Sequence, residues 1–169
     1  SFVEERWEHE LAGNADPIKL LNPIASQMNV MRSSLVGSLV QVLRFNLARK
    51  AERVRVFELG RVFSKDASVP DSDTSVAGFA QPMRVAGLAY GDVGPLQWSS
   101  EAARKVDFFD VKADVQALLA PRRATFEPAT HPAMHPGRCA RVLIDGHAIG
   151  FVGELHPKWR QAYELPQAP

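Results

Sequence analysis

The sequence predicts an α+β fold, an antiparallel sheet flanked by helices, and three observations carry that reading. Between Ser33 and Arg49 the apolar residues Leu35, Leu39, Val42, Leu43 and Leu47 return every three or four positions, the spacing of one helix face. Residues 54–63 turn instead to β-branched and aromatic side chains, as strands do, and further strands are read at 83–90, 141–144 and 148–153. These strands come in adjacent pairs, with no repeated unit of strand, helix and strand, so an antiparallel sheet follows.

The elements can be justified in order. Phe2 to Leu11 reads as a short helix or a strand entering one, ended by Gly13, Asn14 and the Asp16-Pro17 turn signal. Ile18 to Leu21 reads as a short strand before Asn22-Pro23. In the main helix, Ser33 or Ser34 supplies the N-cap oxygen, and Arg44, Arg49 and Lys50 lie where the helix dipole favours positive charge. Leu35, Leu39, Val42 and Leu47 form its core stripe, which leaves Val36, Val40 and Leu43 to one side. Val54 to Phe63 carries apolar side chains on both parities, the pattern of a strand covered on both faces. Ser64 to Gln81, polar and rich in Ser, Asp, Gly and Pro, is a long loop to a second strand at Met83–Tyr90. Gly91 to Ser100, with Pro95 and Trp98, reads as irregular. Asp107 caps a helix lined on one face by Phe108, Val111, Val115, Leu118 and Leu119 and stopped by Pro121. Thr125–Thr130 is a candidate strand. Arg141–Ile144 and Ala148–Gly153 flank Asp145-Gly146, a hairpin signal. His156-Pro157 opens a last short helix with Trp159 and Tyr163 four residues apart on one face.

Composition narrows the function classes. A chain of 169 residues, 46% apolar, is expected to fold as one soluble domain, residues 1–169, with a substantial core. Twenty basic and 19 acidic residues leave a net charge of +1, so any RNA contact has to be local. No apolar run approaches the roughly 20 residues that cross a bilayer, and Glu4, Glu5 and Glu8 stand where a leader would be basic and apolar, so a cytoplasmic protein is expected. Cys139 is the one cysteine, which leaves no disulfide framework. The opening SFVEERW, without a methionine, reads as a segment of a longer polypeptide.

Two clusters invite a metal and argue against it. Asp107, Asp110 and Asp114 are spaced along one helix, but no glycine loop or further acid accompanies them, and capping accounts for them better. His131, His135 and Cys139 fall at intervals of four, yet Pro132 and Pro136 prevent the continuous helix that would align them. No G-x-S-x-G elbow, phosphate loop or dinucleotide fingerprint occurs.

Four blocks add a resemblance: NPIASQMNVMRSSLVGSL from Asn22, FELGRVF from Phe57, VDFFDVKADVQALL from Val106 and HPGRCARVLIDGHAIGFVGELHP from His135. In this order, over nearly the whole chain, they resemble the catalytic-like domain of the β subunit of bacterial phenylalanyl-tRNA synthetase. The resemblance implies a class II aminoacyl-tRNA synthetase-like fold within a heterotetramer of two catalytic α and two β subunits. In catalytic class II relatives, one arginine opens the loop after the strand that here ends at Phe63, and a second sits in a glycine-rich strand-to-helix motif near the C-terminus, where they hold ATP phosphates. Here the loop begins Ser64-Lys65-Asp66, and the strand Ile149–Leu155 runs into His156-Pro157-Lys158. The implied module is therefore non-catalytic, with no cofactor or metal of its own. It supports assembly with the α subunit in a parent complex that attaches phenylalanine to its tRNA using ATP and magnesium and holds the tRNA through other parts. The candidate partner-interface residues are Arg32, Val36, Val40 and Leu43, although Arg32 also reads as a charge anchoring the turn to the helix start. The alternative is a ligand- or tRNA-binding domain whose 64–82 loop closes over the ligand; the missing arginines and the near-neutral charge count against it.

Overall fold

The computed structural model describes residues 1–94 and 104–165; Trp98, within the stretch expected to be irregular, lies outside them. Two compact units emerge, residues 1–42 with 56–87 and residues 43–55 with 88–169, so the chain passes between units inside several of its elements.

In the first unit β1 (Phe2–Val3) pairs antiparallel with β2 (Val30–Met31), and α1 (Glu5–Trp7) continues into a wider π turn, Glu8–Ala12. The strand expected at 18–21 shrinks to a single bridge between Lys19 and Val30, flanked by Met31 N–H to Ile18 O at 2.8 Å and Leu20 N–H to Asn29 O at 2.9 Å. Helix α2 (Val36–Leu47) starts where Ser34 Oγ accepts the Val36 N–H at 3.2 Å, one of the two caps expected. Its rotation differs from the expected one. Leu35, Leu39, Val40 and Leu43 are buried, whereas Val42 is 40% and Phe45 56% exposed. The cause sits at Gly37. A Cβ there would lie 2.8 Å from the Trp7 ring, so the missing side chain admits the indole and turns the Gly37–Val40 side inward.

β3 (Val54–Arg61) pairs with β6 (Met83–Tyr90). Between them, the segment read as a long loop contains a small antiparallel ladder, β4 (Ser64–Lys65) with β5 (Phe79–Ala80), extended by Asp66 N–H to Gly78 O at 2.8 Å. Backbone pairing wins there over the turn-rich composition, because the two ends of the segment meet as neighbours of β3 and β6.

In the second unit α3 (Phe108–Leu119) covers a three-stranded antiparallel sheet of β7 (Ala124–Pro128), β8 (Met134–Ile144) and β9 (His147–Leu155). Phe108, Val111, Val115 and Leu119 pack on Ala140, Val142 and Val152, while Leu118, expected on that face, is 66% exposed. The β8–β9 turn uses Asp145 and Gly146 at φ 51° and 77°, the paired positive values of a two-residue hairpin turn that follows strand twist. Last comes α4 (Pro157–Ala162), with Pro157 at its first position and the Tyr163 ring buried 6.3 Å from that of Trp159. The described strands thus fall into four small sheets instead of one.

Candidate functional site

Arg32 is an interior tie. It is 4% exposed, and its guanidinium donates to Arg61 O and Ser38 Oγ, both at 3.1 Å, and to the Glu58 carboxylate. Gly60 makes room for it, since a Cβ at that position would stand 2.3 Å from Nη2. Next to it the buried Glu8 carboxylate accepts the Ser33 N–H at 3.0 Å, the Ser33 hydroxyl and the Asn14 amide at 3.1 Å. The blocks MRSS and FELGR therefore meet because a planar fork has to be satisfied on every side when water is removed. Of the four interface candidates, Arg32, Val40 and Leu43 are buried in the chain itself, and Val36 is half-buried. Arg32, Val40 and Leu43 thus pack within the chain.

An uncovered apolar surface lies on β3 and β6. Along β3, Val56, Glu58 and Gly60 point inward while Phe57 and Leu59 are 79% and 66% exposed. The two strands run antiparallel, with Val62 N–H bonded to Pro82 O at 3.1 Å at one point and Gly87 against Val56 O at another, which counts Leu59 across from Val85. Met83 and Val85 are half-exposed, so Phe57, Leu59, Met83 and Val85 make one greasy sheet face. The strand expected to be covered on both faces is covered on one: its apolar residues lie on both parities, but among the described residues nothing covers Phe57 and Leu59.

At the position where a catalytic relative is expected to carry an arginine, Lys65 pairs with Asp16 at 2.6 Å. Asp66 accepts the Ser68 hydroxyl at 2.6 Å and its N–H at 3.0 Å, bonds that hold its carboxyl below the usual carboxylate range. The acids on α3 are likewise partnered. Asp107 accepts from Phe109 and Asp110 N–H, Asp110 accepts from Arg104 at 2.7 and 2.8 Å, and Asp114 from Arg55 at 2.8 Å. Among the described residues no group of three or more His, Cys, Asp or Glu is placed to hold a metal ion.

The histidine segment is not helical: Cys139 sits on β8, its Sγ 3.6 Å from Met134 Sδ, and burial pushes its thiol up. Each of His131, His135 and His156 turns Nδ1 to its own backbone, accepting from Ala133, Gly137 and Lys158 N–H at 3.1, 3.0 and 3.0 Å. A ring so held carries its proton on Nε2, which leaves neither nitrogen free to bind a metal.

What these residues define is a module of satisfied interior charge with an uncovered apolar face on β3 and β6. All of it, residues 1–169, matches the family described as the phenylalanyl tRNA synthetase beta chain CLM domain, and the chain belongs to that family. It is 62% identical over its full length to the phenylalanine–tRNA ligase beta subunit of Ralstonia nicotianae, of which it spans 21%. Identity is 60% to the subunit of that name from Cupriavidus pinatubonensis, again over 21% of it, and 56% to that of Chromobacterium violaceum, over 20%. The chain thus spans about a fifth of the length of these relatives.

Proposed function

We propose that the chain is a non-catalytic, class II synthetase-like module of a phenylalanine–tRNA ligase β subunit, and that it supports assembly with the catalytic α subunit. The parent complex attaches phenylalanine to its tRNA with ATP and magnesium, as a heterotetramer in the cytoplasm. The observation that carries this reading is the open face of Phe57, Leu59, Met83 and Val85. Burying one Phe or Leu side chain contributes about 1.5–3 kcal/mol, and the exposure of Phe57 and Leu59 leaves most of that to be gained on association. The name β subunit carried by the relatives supports an α subunit as the occupant of that face. Closure of residues 64–82 over a ligand has less support, because that segment is already closed on itself through β4, β5 and the bonds Gly78 N–H to Val69 O and Ser72 N–H to Ser75 O.

Leu59→Asp and Phe57→Asp in the full-length β subunit test the assembly role. An unpaired carboxylate buried at an interface costs several kcal/mol, so affinity for α, read by analytical ultracentrifugation, is expected to fall on the order of a hundredfold or more. The melting temperature of β alone should hardly move, since both positions face water. Normal assembly of both variants would place the α-binding surface elsewhere.

A further inference from the structure

The turn between β7 and β8 and the residues that follow β9 enclose an open recess of about 330 Å³, lined by Thr130, His131, Pro132, Pro136, His156 and Lys158. No acidic residue lines it. His131 and His156 each spend Nδ1 on a backbone N–H, so the donor each ring keeps is Nε2–H. Burial holds His131 below its ordinary pKa, which favours that neutral ring. Among the described residues no acceptor meets either Nε2–H or the Thr130 hydroxyl, and the Lys158 ammonium rests 4.4 Å from the Trp159 ring without a carboxylate partner. The wall thus presents donors and a positive charge, with no side-chain acceptor committed to them. A phosphate group carries several acceptor oxygens and a negative charge, and so can take more than one of these donors together with the ammonium.

We propose that this recess binds a phosphate group of an RNA backbone, with His131 and His156 donating through Nε2–H and Lys158 supplying the charge. The choice of RNA rests on the reading above that the chain serves a tRNA ligase; free phosphate shares the chemistry and is the other source to be distinguished.

The test uses the full-length β subunit assembled with α. In His131→Asn and His156→Asn the amide oxygen takes the place of Nδ1 and keeps the backbone bond, while the Nε2 donor is lost. Lys158→Met keeps the stem against Trp159 and removes the charge at an exposed position, so folding is not at stake. Binding of tRNA is measured across a salt series, and inorganic phosphate is titrated by phosphorus NMR on the same preparations. The double histidine variant should weaken tRNA about tenfold at fixed salt, and Lys158→Met should lower the slope of log K against log salt by about one. Unchanged tRNA affinity and slope in all variants would overturn the proposal. Loss of phosphate binding with tRNA untouched would overturn RNA as the source. Co-elution with α, scored in parallel, separates a failure of the assembly reading from a failure of this one.

Discussion

At the scale of single residues, the two family-like blocks are joined by one guanidinium. Arg32 lies 4% exposed between Ser38, Glu58 and the Arg61 carbonyl, and the hydrogen atom that Gly60 carries in place of a side chain is what lets Nη2 fit. A flexible arginine on the surface would swing away from an added methyl; this one is tied at three points and has nowhere to go. Gly60→Ala is therefore expected to destabilise the chain by about 1–3 kcal/mol, the usual range for overpacking a filled site. Arg32→Lys should cost a similar amount, since an ammonium cannot reproduce the fork. Chemical denaturation with both variants checks this, and a Gly60→Ala midpoint equal to the parent's would mean that Arg32 is not held as described. From the sequence, Arg32 reads equally as a partner contact or as an anchor; the partners that decide it, Glu58 and Arg61, stand 26 and 29 positions away, and no local pattern exposes such a pairing.

At the scale of elements, α3 shows what sequence chemistry specifies well. Asp107 accepts from Phe109 and Asp110 N–H, and Asp110 returns a bond to the Asp107 N–H at 2.8 Å, a reciprocal capping box with an aspartate at its third position. Asp107→Ala should cost about 1 kcal/mol, within the 0.5–2 kcal/mol range for lost caps. The Arg104 guanidinium, with the backbone bond, lowers the Asp110 pKa to about 2 from an ordinary 3.8. A depressed carboxylate binds fewer protons folded than unfolded, so its contribution is full above the unfolded value and is lost as pH falls from near 4 towards 2. Helix content followed by circular dichroism through that window should drop earlier for Arg104→Met than for the parent; coincident curves would show that the pair does not hold the helix start. The caps and the 3.6-residue period made both long helices legible, with ends within a few residues. The inward face of α2 was not legible, because Leu35, Val36, Leu39, Val40, Val42, Leu43 and Leu47 spread over more than one side. The gap at Gly37 and the Trp7 ring that fills it select among those sides, and they come from a different stretch of chain. The strand at 54–61 was legible as apolar on both parities, but an absent cover leaves no mark in the pattern.

At the scale of the whole molecule, the question is whether a chain of this family activates an amino acid by itself. Adenylate formation brings a carboxylate against the α-phosphate of ATP, and two like charges approach only where fixed cations neutralise the phosphate oxygens in line with the attack. The expected first position for such a cation holds Ser64-Lys65-Asp66, where Lys65 is already paired with Asp16. At the second, β9 is followed by His156, whose Nδ1 caps α4, and by Pro157. A neutral imidazole that donates one hydrogen bond can bind a phosphate oxygen, yet it gives little of the charge neutralisation that the transfer step demands. We therefore expect no phenylalanine-dependent exchange of labelled pyrophosphate into ATP by the β subunit purified without α, at any magnesium concentration, and normal exchange once α is added back. The add-back arm separates an inactive module from a damaged preparation. Exchange by β alone that survives removal of trace α, and falls with Lys65→Met, would restore an active site to this chain and displace the assembly role from its function.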